Sequence, residues 1–272
     1  EDYLTKVAGV EYDPDADCPM WKDHLTLILK GNKEMVNAFQ MWCGYNLLAD
    51  NPEQIIFIPY GYGSNGKTVT LNTMAYVFGD YARSMDPSTI MATQRSSGGS
   101  PRPDIVRLDG VRMVTSTEGD EGDRLSEKLI KQITGREDVV ARTLYQEERE
   151  FKVGAKIWFA TNHKPEIRGN DHAIWRRIRM IPFDVTILPE HRDPRIEEKL
   201  QAEGSGILNW AIEGLRAFYQ NGSQLVFPPE VQLATEQYRN ESDVIGGFIG
   251  DCCIMDPDAR DSRTNILHAY SD

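Results

Sequence analysis

The chain has 272 residues, 40% of them hydrophobic and 26% charged, enough for one large α/β domain with helical additions or for two modest domains. Its net charge of −12 argues against a surface that coats nucleic acid indiscriminately, because such binding needs a surplus of lysine and arginine against phosphate. No apolar run reaches the roughly 18 to 20 residues of a membrane span and Glu1-Asp2-Tyr3 begins no signal peptide, so a soluble, cytoplasmic protein without membrane association is expected.

Charge is unevenly placed. Residues 90–180 hold 17 basic and 14 acidic side chains, a local balance of +3 in a chain of −12. Either a solvated, ion-paired face or a basic channel within an acidic exterior gives this pattern. The cysteines Cys18, Cys43, Cys252 and Cys253 form no C-x-x-C pair and are expected as buried thiols.

In chain order, residues 20–50 show helical periodicity through Trp21, Leu25, Ile28 and Leu29, then Met35, Val36, Phe39, Trp42 and Leu47. Asn51-Pro52 breaks it, and a strand is predicted over Ile55 to Ile58. Gly61-Tyr62-Gly63-Ser64-Asn65-Gly66-Lys67-Thr68 follows at once and matches G-x-x-x-x-G-K-[ST] in full. Its glycines let backbone N–H groups wrap a phosphate at a helix N-terminus, Lys67 reaches the β- and γ-phosphates, and the Thr68 hydroxyl holds Mg²⁺. The following helix is predicted to end at Gly79. Residues 93–103, rich in Ser, Gly and Pro with Arg95 and Arg102, read as a mobile loop.

A second strand is predicted over Val111 to Thr115, then a helix from Ser126 to Thr134 stopped by Gly135. Val139 to Leu144 and Glu150 to Val153 read as a hairpin with Tyr145 to Arg149 at its tip. Ile157 to Ala160 is the third strand, ending at Thr161-Asn162. Strand and helix alternation of this kind implies an α/β fold with a mostly parallel central sheet, whose ligands gather at the carboxyl ends of the strands. Amphipathic helices are expected from Ile207 to Tyr219 and after Pro228-Pro229, and a last helix capped by Ser262. The divisions expected are an N-terminal helical region (1–50), an ATPase core (51–190), a C-terminal helical segment (191–240) and, from 241 to 272, the start of a truncated, winged-helix-like domain.

Hydrolysis of a γ-phosphate needs a held Mg²⁺, a polarised water and positive charge on the transition state. Glu118 stands just past the second strand, where a Walker B carboxylate aids Mg²⁺ coordination and water activation, and Asp120 or Glu121 is a candidate base. Asn162, at the tip of the third strand, is placed to hydrogen-bond the γ-phosphate or the attacking water. Arg176-Arg177, after Ile174-Trp175, suits an arginine finger reaching into a neighbouring subunit.

These motifs, with Leu125 to Gly135, Ala160 to Pro165 and Asp171 to Phe183, resemble the superfamily 3 helicases, more narrowly the C-terminal region of phage, plasmid and poxvirus-type primase-helicases. The resemblance covers roughly residues 20–240, including Gln40 to Tyr45 in the small helical region before the ATPase. It implies an AAA+ ATPase that uses ATP and Mg²⁺, assembles as a hexameric ring on DNA and translocates 3′ to 5′. It assigns Lys67 and Thr68 to Walker A, Glu118 to Walker B, Asn162 to sensor 1 and Arg176 or Arg177 to the finger. Thr117 precedes Glu118 where relatives often carry a second acid, so the base stays open. The resemblance also places a DNA-contacting hairpin at 139–153, with Arg142, Tyr145, Arg149 and Lys152 as candidate contacts. A covalently linked upstream primase and a phage, prophage or plasmid setting in a bacterial cell are implied as well. A nonprocessive AAA+ initiator or loader is the alternative; a metabolic P-loop kinase fits less well, having no use for Arg176-Arg177.

Overall fold

The protein, seen as a computed structural model, is described for residues 5–92, 101–117, 119–168, 171–243, 246, 248–249, 252–254, 256 and 260–271. Seven strands are found among them: β1 (Ile56–Tyr60), β2 (Ala82–Ser84), β3 (Met113–Thr117), β4 (Asp138–Ala141), β5 (Arg149–Lys152), β6 (Lys156–Ala160) and β7 (Ile178–Pro182). Five form one parallel sheet in the order β2-β3-β6-β1-β7, while β4 and β5 pair antiparallel as a separate hairpin. The helices are α1 (Pro19–Ile28), α2 (Lys33–Tyr45), α3 (Lys67–Phe78), α4 (Pro103–Val106), α5 (Glu127–Thr134), α6 (His172–Trp175), α7 (Ile196–Ala202), α8 (Gly204–Gln220) and α9 (Pro229–Ser242).

Central strands of a parallel sheet are covered on both faces, which is why β1, and β6 after its first residue Lys156, are runs of apolar and aromatic residues rather than alternating with polar ones. Side chains still alternate between faces. Phe57 and Trp158, cross-strand partners, stack with ring centroids 4.2 Å apart on the face covered by α1, α2, α3 and α8. Ile56, Ile58, Ile157 and Phe159 point to the other face, against α5, the hairpin and α9.

The N-terminal helices join this core through one tight crossing. A Cβ on Gly44 of α2 would lie 2.1 Å from the Leu215 nitrogen, and one on Gly214 of α8 would lie 2.0 Å from the Gln40 oxygen. The helix backbones therefore touch, and no larger residue fits at either position. Lys156, fully buried at the start of β6, donates to the carbonyls of Leu48, Asp50 and Gly154 and ties the loop before β1 to the sheet. Burial foremost, with Arg112 nearby, pushes its pKa down to about 7.

Several boundaries depart from the sequence expectation. β1 begins one residue later and extends to Tyr60, and β3 is shifted to 113–117. β2, β7 and α7 were not anticipated. Cys18 and Cys43 are buried, but Cys252 is exposed and Cys253 half-buried, so burial does not account for all four thiols. Parts of the expected winged-helix-like domain, and residues 93–100 of the expected mobile loop, lie outside the described residues. The predicted last helix is present as Arg263–Ser271, with the Asn265 N–H on the Ser262 hydroxyl at 3.1 Å.

Candidate active site

β1, β3 and β6 end on the same edge of the sheet, which brings together the loop 61–66, the acidic segment after Thr117, and Asn162. The loop turns into α3 at Gly66, whose φ of +84° belongs to the left-handed region. It is fastened on both sides. The Gly61 N–H donates to Thr161 O at 3.4 Å, and Asn65 Nδ2 donates to Tyr62 O at 2.7 Å and Phe183 O at 3.0 Å. Ile187 N–H donates to Ser64 O at 2.8 Å. Asn65 is thus a brace between the loop and the end of β7, and these tethers fix the loop's shape before any ligand arrives.

Lys67, at the first turn of α3, is 6% exposed and donates to the Gly61 carbonyl, to Asn65 Oδ1 at 3.1 Å and to Asn162 Oδ1 at 3.0 Å. Its ammonium is held at the mouth of the loop by neutral oxygens that an incoming phosphate can replace. Thr68 is exposed, whereas Thr70 is buried and donates to Gly66 O at 2.8 Å.

α1 closes the other side of the loop. Pro19 opens it, the Met20 and Trp21 N–H groups are capped by the Glu203 carboxylate at 3.1 and 3.0 Å, and the stripe Trp21, His24, Leu25, Ile28 is buried. His24 Nε2 lies 3.0 Å from Thr70 Oγ1, and a Cβ on Gly66 would lie 2.8 Å from Ile28. Burial pushes the His24 pKa down to about 4, so the imidazole is neutral at pH 7. Beside it a cavity of 430 Å³, lined by His24, Leu27, Val69, Ile187 and Ile196 among others, abuts Ser64 and Gly66. Its apolar walls and position fit a nucleobase whose phosphates lie on the loop.

Among the acids, Glu118 follows β3 directly but lies outside the described residues. Asp120 is exposed, with its N–H on Asp123 Oδ2 at 2.9 Å, and sits in a turn. Glu121 is exposed and lines a cavity of 780 Å³ together with Tyr62 and Asn162.

The two arginines part company. Arg177 is 6% exposed and donates to Thr134 Oγ1 at 3.1 Å, Ala173 O at 2.6 Å and Gln54 Oε1 at 3.3 Å. That guanidinium is a buried clamp between α5, α6 and the loop before β1, and it is not available to a neighbouring molecule. Arg176 is exposed and touches Gln54 Oε1 at 2.9 Å. Ile178 pairs with Ile56 at the start of β1, so Arg176 lies beyond the edge of the sheet opposite the phosphate loop. Five strand residues at about 3.3 Å each set it roughly 16 Å or more from that loop in its own chain.

The hairpin is present in the register Asp138↔Lys152 to Ala141↔Arg149. Tyr145 is 95% exposed at its tip, with φ +62°, and Lys152 is exposed. Arg149 pairs with Asp109 at 3.2 Å, and Arg142 is half-buried where β4 enters the turn, its carbonyl accepting from Arg102 N–H at 2.9 Å. The four candidate contacts therefore share one hairpin, but only Tyr145 and Lys152 stand clear of it. Sequence reasoning missed His24, Gln54 and the bracing role of Asn65. A histidine on the apolar stripe of α1 was the one visible signal.

Strand order, phosphate loop and the Lys67–Asn162 contact define a P-loop fold of the AAA+ type. No family model matches the chain. Over 222 residues it is 29% identical to "Putative helicase L207/L206" of Acanthamoeba polyphaga mimivirus, covering 75% of this chain and 23% of that protein. It is 29% identical over 239 residues to "Putative helicase 022R" of Frog virus 3, covering 82% and 24%, and 26% identical over 237 residues to "Putative primase C962R" of African swine fever virus, covering 81% and 25%. The chain is similar to these viral proteins and spans about a quarter of their length. The NrS-1 C-terminal region shares its fold, with a TM-score of 0.67 at 15% identity over 91% of this chain and 58% of that one. These curated relatives come from eukaryotic viruses, so the expected phage or plasmid setting draws no support from them. Among the described residues no helix is long and apolar enough to cross a membrane.

Proposed function

We propose that the chain is the ATP-driven motor region of a viral-type DNA replication protein, hydrolysing ATP at the subunit interfaces of a hexameric ring and moving 3′ to 5′ on single-stranded DNA. The observation that carries this reading is the 3.0 Å contact between Lys67 and Asn162, two candidate groups for γ-phosphate recognition already brought together by the sheet. In the bound state Lys67 and the loop N–H groups hold the phosphates, the cavity beside His24 takes the base, and Asn162 orients the attacking water. Thr68 and Glu118 would hold Mg²⁺, which screens the phosphate charge when bound. Glu121 is the better placed of the two remaining base candidates, since it shares a cavity with Asn162.

Arg176 supplies the finger to the next subunit, because its place beyond the far edge of the sheet keeps it from its own phosphate loop. Tyr145 and Lys152 touch DNA by stacking and by phosphate contact.

Strand displacement on forked duplexes tests the reading. Unwinding in Mg²⁺ and ATP of a substrate with a 3′ tail, and not of one with a 5′ tail, is expected. DNA-stimulated hydrolysis with no displacement on either substrate would favour an initiator or loader instead.

A further inference from the structure

Helix α9 lies along β7, the edge strand of the sheet, held by Val231 and Tyr238, which are 0% and 2% exposed, and by Thr235 Oγ1 accepting from the Met180 N–H at 3.0 Å. At about 100° per residue, the positions flanking this buried stripe fall on opposite sides of the helix. Glu230, Ala234, Gln237 and Glu241 line one flank, and Gln232, Thr235 and Arg239 line the other.

The two flanks open into clefts of opposite charge. On one side is the 780 Å³ cavity that also holds Asn162, with Glu121, Asp184, Glu230 and Glu241 against the single cation Lys164. Its acids are only partly satisfied within the chain: Lys164 pairs with Glu241 at 2.5 Å, Lys30 with Asp184 at 3.3 Å, and Glu230 accepts from Asn32 Nδ2 at 2.6 Å, yet Glu121, Asp184, Glu230 and Glu241 all stay exposed. On the other side is a 530 Å³ cleft with Arg176, Arg179 and Arg239 against Glu236. The Arg179 guanidinium stacks on Phe227 at 4.6 Å, which stiffens this wall, while Arg176 and Arg239 are exposed.

We infer that α9 is the wedge of a head-to-tail interface, in which the arginine cleft of one copy of this chain seats on the acidic cleft of the next, with Arg239 and Glu230 as the charges that set the pairing. The inference rests on the ring-motor reading and adds the surface that builds the ring. Two unlike faces on one subunit make a heterologous contact, which closes into a ring when the rotation permits. Opposite charge gives that contact its register and excludes arginine cleft against arginine cleft. The acidic cleft borders the nucleotide site through Asn162 and Tyr62, so docking there carries Arg176 toward the neighbour's phosphates.

The test measures assembly by sedimentation with Mg²⁺ and a slowly hydrolysed ATP analogue. It compares wild type, Arg239→Glu, Glu230→Arg, an equimolar mixture of the two, and Arg216→Glu as an equal charge change on the exposed side of α8. All three positions substituted are exposed, and melting curves check that each variant folds. Each single variant should raise the concentration for half-assembly about tenfold or more, while Arg216→Glu should not, since like charges facing each other oppose association. The mixture should return to within about threefold of wild type, because every interface then pairs opposite charges. Arg239→Glu that behaves like Arg216→Glu, or a mixture no better than its components, overturns the interface while leaving the motor reading intact. Wild type that stays a single chain at all concentrations overturns both.

Discussion

Lys67 and Asn162 stand 95 residues apart in the chain and 3.0 Å apart in space, the ammonium donating to the side-chain carbonyl across the mouth of the phosphate loop. The contact forms because β1 and β6 are neighbours in register, Ile56 beside Ile157, and each ends in the loop that carries one of the two residues. A phosphate arriving at Lys67 must displace or share that bond, so the asparagine is informed of occupancy by the same event that binds ligand.

Replacing Asn162 should therefore separate binding from hydrolysis. Asn162→Ala is expected to keep nucleotide affinity within a few-fold, since Lys67 and the loop N–H groups remain, while lowering kcat about 100-fold through loss of a positioned polar group. Lys67→Ala should lose nucleotide binding itself. Equilibrium binding of a fluorescent nucleotide beside steady-state turnover distinguishes the two effects.

The paired arginines should fail in different ways. Arg177→Ala strips Thr134 and the Ala173 carbonyl of a buried partner and should cost about 2–4 kcal/mol of stability, visible as a lowered Tm whatever the activity. Arg176→Ala should leave Tm within a degree or two and abolish cooperative turnover. Equal Tm losses in both variants would contradict their assigned places.

His24 sets a pH window. Its folded pKa of about 4 lies below the ordinary value of 6.5, so between these values the unfolded chain binds a proton that the folded chain refuses. Stability is then complete above about pH 6.5 and falls as pH drops toward 4, by a total of about 3 kcal/mol for this one group. Urea unfolding of wild type and His24→Gln at pH 7 and pH 4.5 should show a smaller pH-dependent loss in the variant.

Two residues on the hairpin should read out DNA differently. Tyr145→Ala should weaken single-strand binding by about 1–3 kcal/mol with little change in salt dependence, as expected for a stacked base. Lys152→Ala should lower the slope of log affinity against log salt by about 0.7. Affinity and slope unchanged in both would remove the tip from the DNA path.

What the sequence made legible is what local chemistry specifies. The phosphate loop needs its glycines and lysine at fixed spacing, the hairpin alternates, and β6 is an apolar run, so each was visible from neighbours in the chain. β2 is the three residues Ala-Arg-Ser, with no pattern to find. β7 was not read as a strand, its residues being noted only within the run Asp171 to Phe183, and only the fold shows Arg179 stacked on Phe227. Arg177 was read, with Arg176, as a candidate finger to a neighbouring subunit. Its partners Thr134 and Gln54 are 43 and 123 residues away, so the burial that decides its role has no local signature.

The most direct test of the central claim, an ATP site completed by Arg176 of a neighbouring chain, is ATP turnover by a mixture of Lys67→Ala and Arg176→Ala chains. Each variant alone should be inactive. In an equimolar random ring, about one interface in four joins an intact Lys67 to an intact Arg176, so turnover should recover to about a quarter of wild type. A mixture no more active than the sum of its inactive components, or an Arg176→Ala chain that hydrolyses ATP as wild type does, would contradict it.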